Sequence, residues 1–293
     1  MRLVPLVMAL LLGACAPQGE SLTDAPGNDP ADQDEVKSWY EPADPIRIVG
    51  PIHFVGTRGL AVFLIHTSDG EILLFGAMPK SAGLVEASIR KFGFDPKNIK
   101  VMLTCHAHID HVGTHAYFER ISGAQVAMMA PEVELLESGG KTDFHYAKLP
   151  AFLFEPVRVD RVLQDGDVVT LGEFSLTAHL TPGHTRGGTT WTMSVVEDGT
   201  AYDVVFPDGY SINPGYRLKD NPSYPGIADD YRRTFRVLES LKPDIWLPSH
   251  TSFSDFAARR ERAATEGIKA WVDPEGYRSF VAERKAKFEG AVE

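Results

Sequence analysis

Residues 104–113 read Thr-Cys-His-Ala-His-Ile-Asp-His-Val-Gly and limit the fold more than any other stretch, because four potential metal ligands must converge. Imidazole and carboxylate are groups that zinc takes as ligands, and three histidines with one aspartate exceed the need of a single open site. His106 and His108 are two residues apart, so in an extended segment they point the same way and can share one ion. Asp110 and His111 follow where a turn into a helix would carry them toward a second ion. The motif therefore predicts two metal ions.

Apolar runs around the motif alternate between strand and helix spacing. A buried strand predicted over 99–103 leads directly into the motif. Other predicted strands cover 52–55, 61–67, 71–75, 125–129, 157–162, 168–171, 174–180, 190–196, 201–206 and 244–247. Helical spacing marks 85–92, 118–121, a segment after Pro131, 227–238, 255–265 and 277–288. Strands followed by a helix, twice over, predict two sheets face to face with helices outside, in a chain of 293 residues that can bury a large core.

The N-terminus has the pattern of an exported protein. Arg2 precedes an apolar run over residues 3–12 that is too short to span a bilayer as a helix. Residues 12–15, Leu-Gly-Ala-Cys, resemble the bacterial lipobox, in which cleavage before the cysteine is followed by its acylation. This predicts a lipoprotein-type signal peptide over 1–14 and a lipid anchor on Cys15; an ordinary cleaved signal peptide is the alternative. We expect an exported protein at the periplasmic face that touches the membrane only through this lipid, which would lie in the outer membrane if the cell is Gram-negative.

Composition separates a leader from a folded unit. Residues 15–44 are rich in proline, glycine and acids and predict a disordered tether, which leaves 45–293 as the catalytic domain. The net charge of −11, without clusters of basic residues, argues against a nucleic-acid partner. Cys105 is the only cysteine besides Cys15, so no internal disulfide is expected in the mature chain. Its side chain should face away from His106 and act as a small buried apolar group.

Two later histidines also follow predicted strands. His184 lies in Thr-Pro-Gly-His-Thr and His250 in Leu-Pro-Ser-His-Thr, where proline and glycine shape tight loops. An isolated histidine is more often a hydrogen-bonded structural residue, so a metal-binding role for these two is predicted only because the chain also contains the motif. The segment 141–156 carries four aromatic residues and is either a flap over a substrate cleft or a part of the core.

These motifs together resemble the metallo-β-lactamase superfamily, whose pattern is His-x-His-x-Asp-His followed by two later histidines. The similarity runs from about residue 48 to the end and is closest to the zinc β-lactamases of subclass B3, with supporting segments at 181–184, 214–216 and 230–233. The resemblance implies an α/β fold, a four-layer αβ/βα sandwich of two mixed sheets. It also implies two zinc ions per chain, the first on His106, His108 and His184 and the second on Asp110, His111 and His250.

The activity that the resemblance implies is hydrolysis of β-lactam antibiotics, which confers resistance. A hydroxide shared by the two zinc ions would attack the lactam carbonyl, and Asp110 would orient this nucleophile. Ser211 is the one substrate contact that can be matched to subclass B3. The partner is then a small molecule, and we expect a monomer.

Two departures from the pattern keep other interpretations open. The superfamily usually has an aspartate at the end of the strand before Gly76, and it supports the metal site; this chain has Phe75 there, which favours a non-catalytic relative. Asp208 favours a hydrolase of a thioester or lactone, because glyoxalase II-like and lactonase-like relatives bridge their metals with an aspartate near this point. Gly209 stands where subclass B3 would have a further serine.

Overall fold

A computed structural model describes residues 33–293. The predicted signal peptide, Cys15 and the tether as far as residue 32 lie outside the described residues. Between residues 33 and 293, no helix is both long enough and apolar enough to cross a membrane.

The first sheet contains the strand that leads into the histidine motif. Its seven strands follow chain order: β1 (Ile46–Val49), β2 (Ile52–Phe54), β3 (Phe63–Thr67), β4 (Gly70–Leu74), β5 (Ile99–Leu103), β6 (Gln125–Met129) and β7 (Arg161–Leu163). Strands β1 to β4 pair antiparallel, whereas β4 to β7 pair parallel. The near-continuous apolar sequence of β5 suits a parallel strand covered on both faces. Strand β1 was not predicted from the sequence.

The second sheet contains the strands that precede the two later histidines. Its five strands are β8 (Val168–Leu171), β9 (Phe174–Leu180), β10 (Thr189–Glu197), β11 (Thr200–Phe206) and β12 (Ile245–Trp246). They lie in the order β12-β11-β10-β9-β8, and only the pairing of β11 with β12 is parallel. Both sheets are therefore mixed, as predicted.

The helices cover the outer faces of the two sheets. They are α1 (Gln33–Ser38), α2 (Ala82–Lys91), α3 (Ile109–Val112), α4 (His115–Ser122), α5 (Val133–Glu137), α6 (Ile227–Ser240), α7 (Phe256–Glu266) and α8 (Pro274–Val292). The central core joins the inner faces of the sheets, as in the contact between Phe63 and Phe206, whose ring centroids are 5.2 Å apart. Val85 of α2 packs on the outer face of the first sheet, and Phe235 of α6 packs on that of the second. The predicted sandwich of two sheets with helices outside is confirmed.

The N-terminal boundary differs from the prediction. Residues 33–44 were expected to be a disordered tether, and for them this expectation is wrong, because α1 occupies their first half. The end of α1 and the backbone that follows it are fixed to the domain by hydrogen bonds from the Gly59 N–H to the Ser38 carbonyl (3.0 Å) and from the Arg58 N–H to the Glu41 carbonyl (3.0 Å). Trp39 packs against the outer core of the first sheet. Burial of the Trp39 side chain stabilises this segment, although its acidic composition predicts disorder.

Candidate metal centre

Three strand ends bring the six predicted ligands to one place. The motif follows β5, His184 follows β9 and His250 follows β12. Because β5 belongs to the first sheet and the other two strands to the second, the site lies where both sheets end. The Trp191 indole N–H donates to the Thr104 carbonyl (2.9 Å), and the Thr104 hydroxyl donates to the His106 carbonyl (3.2 Å). The first bond holds the motif against β10, and the second lies within the motif.

The six side chains form two groups of possible ligand atoms. Within each group, these atoms all lie within 4.8 Å of one another. The first group is His106, His108 and His184, and the second is Asp110, His111 and His250. This is the grouping that the resemblance implied, and metal binding by these atoms stays a prediction.

Hydrogen bonds at the back of the first group set which ring nitrogen is available. His108 donates from Nε2 to the Asp143 carboxylate (3.1 Å), which leaves Nδ1 with a lone pair. His184 donates from Nδ1 to the carbonyl oxygen of Ser211 (2.9 Å), which leaves Nε2. A metal ion binds such a lone pair, and the bond on the opposite nitrogen fixes the tautomer. Ser211 also lines the adjoining cavity, where its predicted substrate contact stays a prediction.

His106 follows the same pattern with Asp208. Its Nδ1 lies 3.2 and 3.1 Å from the two carboxylate oxygens of Asp208. Its Nε2 is buried and has no hydrogen-bond partner among residues 33–293. Leaving such a group unsatisfied costs about 1–3 kcal/mol, and a cation on Nε2 would remove that cost. This nitrogen is therefore the clearest structural sign of a metal-binding role.

The second group centres on Asp110. Its Oδ2 lies 3.2 Å from His111 Nε2 and 3.4 Å from His250 Nε2, so three ligand atoms face one another. Burial alone would raise the pKa of Asp110, but His111 and His250 hold that pKa well below its ordinary value. Asp110 is accordingly ionised and suited to a cation. Its predicted catalytic role stays a prediction.

Electrostatics in the first group favour neutral imidazoles at His106 and His184. Burial and the neighbouring rings lower the pKa of His106 and of His184 well below the ordinary value. For His108, burial also lowers the pKa, but the hydrogen bond to Asp143 outweighs it and the net pKa is raised. Neutral imidazole is the form that binds metals. Three imidazoles in one group, and a carboxylate with two imidazoles in the other, fit a divalent ion such as zinc.

Glu132 is a buried residue of the site that was not predicted from the sequence. Its carboxylate accepts backbone N–H bonds from Ala107 (2.8 Å) and Gly187 (2.7 Å). A Cβ at position 187 would lie 2.6 Å from the Glu132 Cβ, so glycine is needed for this close approach. Burial raises the pKa of Glu132 to about 7 despite these donors. The carboxylate ties the motif to the His184 loop, and no local sequence signal identifies it.

The two groups line a cavity of about 200 Å³. Val36 and Trp39 of the N-terminal segment form part of its wall, and the Trp39 ring lies 5.5 Å from the His250 ring. Asn213 also lines the cavity, and its side-chain amide donates to the Tyr146 hydroxyl (2.9 Å). A concave site with aromatic walls and a few polar groups is typical of small-molecule binding.

The aromatic segment 141–156 divides between its two predicted roles. Tyr146 and Phe152 stack with ring centroids 4.2 Å apart, and both line the cavity. Phe144 and Phe154 instead pack against the outer cores. The same segment therefore shapes the cavity and anchors itself to the domain.

Cys105 differs in part from the prediction. It is buried in the core between the sheets, as expected for a small apolar group. The expectation that it faces away from His106 is wrong, because its Sγ lies within 4.8 Å of ring nitrogens of His106 and His111. Burial raises the pKa of the thiol well above its ordinary value, so Cys105 is neutral beneath the site.

Comparison with known families decides the identity of the fold. Residues 56–250, more than half of the chain, match the family described as the metallo-beta-lactamase superfamily. The chain belongs to this superfamily. The match contains all six predicted ligands, and the fold implies a divalent metal at the histidine-rich groups.

Solved structures extend the similarity beyond the family match. The FEZ-1 metallo-beta-lactamase from Legionella gormanii is 39% identical, with 86% of this chain and 96% of that chain covered and a TM-score of 0.84. BJP-1, a subclass B3 metallo-beta-lactamase of Bradyrhizobium japonicum, is 35% identical, with 88% and 96% covered and a TM-score of 0.83. Among curated sequences, the acyl-coenzyme A thioesterase MBLAC2 of Gallus gallus is 33% identical over 57% of this chain and 61% of its own length, less than two thirds. These similarities support a hydrolase.

Proposed function

We propose that this protein is a zinc-dependent hydrolase that opens the β-lactam ring of small-molecule antibiotics and so confers resistance. The observation that carries the proposal is the pair of ligand groups, in which each ring of the first group has one nitrogen held by a protein acceptor and the other available. The similarity to two metallo-beta-lactamases over nearly their whole length supports the choice of substrate. Two zinc ions per chain are part of the proposal.

The side chains around the two groups have roles that follow from their contacts. Two zinc ions there would supply activated water at neutral pH and polarise the lactam carbonyl. Asp110, kept ionised by His111 and His250, can accept a hydrogen bond from the attacking water and orient it. Tyr146 and Phe152 present stacked rings that can pack against the apolar part of a bound substrate and exclude water.

Hydrolysis of a thioester is the second candidate, because the chain is similar to an acyl-coenzyme A thioesterase. In the thioester hydrolases that motivated this alternative, an aspartate near position 208 bridges both metals. The Asp208 oxygens lie instead on Nδ1 of His106, the ring nitrogen opposite the available Nε2. This contact supports the β-lactam proposal.

One set of assays separates the candidates. Purified protein is offered a chromogenic cephalosporin, an acyl-coenzyme A thioester and a lactone, each with and without a zinc chelator, while zinc content is measured. We expect chelator-sensitive turnover of the cephalosporin and about two zinc ions per chain. Turnover of the thioester or lactone alone would replace the proposal by the second candidate. Less than one zinc per chain with no turnover would identify a non-catalytic relative.

Export to the periplasmic face, with Cys15 as the lipid anchor, is part of the same proposal. It is supported by the basic and apolar residues that precede Leu-Gly-Ala-Cys at 12–15. A hydrolase at that location would meet β-lactams before they reach cell-wall synthesis.

A further inference from the structure

Asp208 is a buried carboxylate with one main contact. Only 4% of the residue is exposed, and both of its oxygens lie within hydrogen-bonding distance of His106 Nδ1. Because a carboxylate only accepts, the Nδ1–H donates, and Nε2 keeps its lone pair. The contact is therefore a hydrogen bond from the His106 ring to the Asp208 carboxylate.

The backbone around Asp208 fixes the direction of this carboxylate. The Asp208 N–H donates to the Thr190 hydroxyl of β10 (3.0 Å). The next residue, Gly209, has a φ of 84°, in the left-handed region, and a Cβ there would lie 2.0 Å from the Thr181 carbonyl oxygen. Only glycine fits such a position. A serine at 209 would therefore not fit this backbone conformation, and the turn holds Asp208 beside His106.

Phe75 occupies the corresponding end of the first sheet. It directly follows β4, is fully buried and has a φ of 67°, which a bulky residue rarely adopts. Its ring packs edge-on against Phe206 of β11, with centroids 6.2 Å apart. Phe75 cannot accept a hydrogen bond, so the end of β4 offers the metal site no carboxylate. Asp208 lies two residues beyond Phe206, in the loop that follows the strand that Phe75 contacts.

We infer that Asp208 is the positioning residue for His106, so that the acid absent at position 75 of the first sheet is replaced by one from the second sheet. Asp208 fixes the His106 tautomer and ring orientation, as Asp143 does for His108. It belongs to neither group of ligand atoms within residues 33–293, so it acts through His106 and does not bind metal itself. The inference rests on the proposed zinc site and not on the identity of the substrate.

The test compares Asp208→Asn and Asp208→Ala with Asp203→Asn, a control on β11 whose aspartate is exposed and whose carboxylate contacts Ser194. Zinc affinity is measured for the full domain by competition with a chromogenic chelator, and circular dichroism checks folding. Loss of a carboxylate behind a ligating histidine lowers metal affinity about 10–100-fold. In Asp208→Ala, we expect zinc affinity to fall by about this factor at one of the two sites. Asp208→Asn should lose less, because its amide oxygen still accepts from Nδ1, and the control should match the wild type.

A second measurement reports on the hydrogen bond itself. In a proton NMR spectrum of the zinc-loaded protein, the downfield N–H signal of His106 should be present in the wild type and in Asp208→Asn and absent from Asp208→Ala. Unchanged zinc affinity in Asp208→Ala would overturn the inference while leaving the zinc site intact. Equal losses in Asn and Ala variants, at both sites, would overturn it in favour of Asp208 as a metal ligand. A wild-type protein without zinc would overturn the proposed function, and this inference with it.

Discussion

His115 provides a sharp test of how burial controls stability in this domain. It lies at the start of α4, is fully buried, and neither ring nitrogen has a hydrogen-bond partner among residues 33–293. Burial, with a smaller contribution from His111, lowers the pKa of His115 from 6.5 to about 4. The folded protein therefore resists protonation of this ring, whereas the unfolded chain does not.

The size of the effect follows from the two pKa values. The difference between 6.5 and about 4 is about 2.5 units, and each unit corresponds to about 1.36 kcal/mol, so the total is roughly 3 kcal/mol. Because the pKa is lower in the folded state, this stability is fully present above pH 6.5 and is lost as the pH falls toward 4. His115→Leu removes the titrating group and fills the space with an apolar side chain. At neutral pH, it should be neutral or stabilise the fold by about 1 kcal/mol, because it also removes two unsatisfied nitrogens.

Urea unfolding of chelator-treated protein at about pH 7, 5.5 and 4 measures the effect. Histidines shared by both proteins protonate equally, so the difference between wild type and His115→Leu isolates position 115. We expect the advantage of the leucine variant to grow by roughly 3 kcal/mol between pH 7 and pH 4. His115→Gln is the matched control: it should remove the pH dependence but keep the cost of an unsatisfied polar group. A constant difference between wild type and His115→Leu across this range would refute the reasoning.

Three further predictions concern other parts of the chain. Phe75→Asn should relieve backbone strain of about 1–2 kcal/mol at the left-handed position but lose roughly 3–5 kcal/mol from burial of the aromatic ring. The free energy of unfolding should therefore fall, and a rise would show that the strain outweighs the burial. Glu132→Gln should lower the free energy of unfolding in urea by about 1–3 kcal/mol, because its NH₂ group must face the N–H of Ala107 or Gly187. An unchanged midpoint of unfolding would show that the Glu132 carboxylate is not needed to join the motif to the His184 loop. Cys15→Ser should abolish labelling by a fatty-acid analogue in cells, and labelling that survives would exclude Cys15 as the anchor.

The sequence was most informative where chemistry is local. His106, His108, Asp110 and His111 are neighbours in the chain, so their ligand spacing is visible without a fold. His184 required the resemblance, because its loop joins the motif only after the sheets pack. The strands that deliver these residues were predicted well, since a buried parallel strand such as β5 is a continuous apolar run.

The contacts that support the site were not predictable from spacing. Asp143 and Glu132 reach a motif residue or its backbone across tens of residues of chain, and nothing in their own surroundings marks them. Asp208 was singled out through the resemblance, but as a possible bridge between metals and not as a partner of His106. The tether prediction failed for residues 33–44 because composition averages over a window, whereas one docked side chain, Trp39, is enough to order it. Phe75 was recognised as unusual, but its left-handed backbone is a property of the folded chain.

The position of the site at the ends of both sheets bears on how the protein acquires its metal. Asp110 and His111 are made early in the chain and His250 late, so the second ligand group cannot close until β12 has paired with β11. Contacts between distant parts of a chain form slowly, because long loops must close first. Metal uptake would then follow folding and not nucleate it. If the chain folds after the proposed export, it would take up its metal in the periplasm, and the metal available there, not in the cytoplasm, would set how much of the protein becomes metal-loaded.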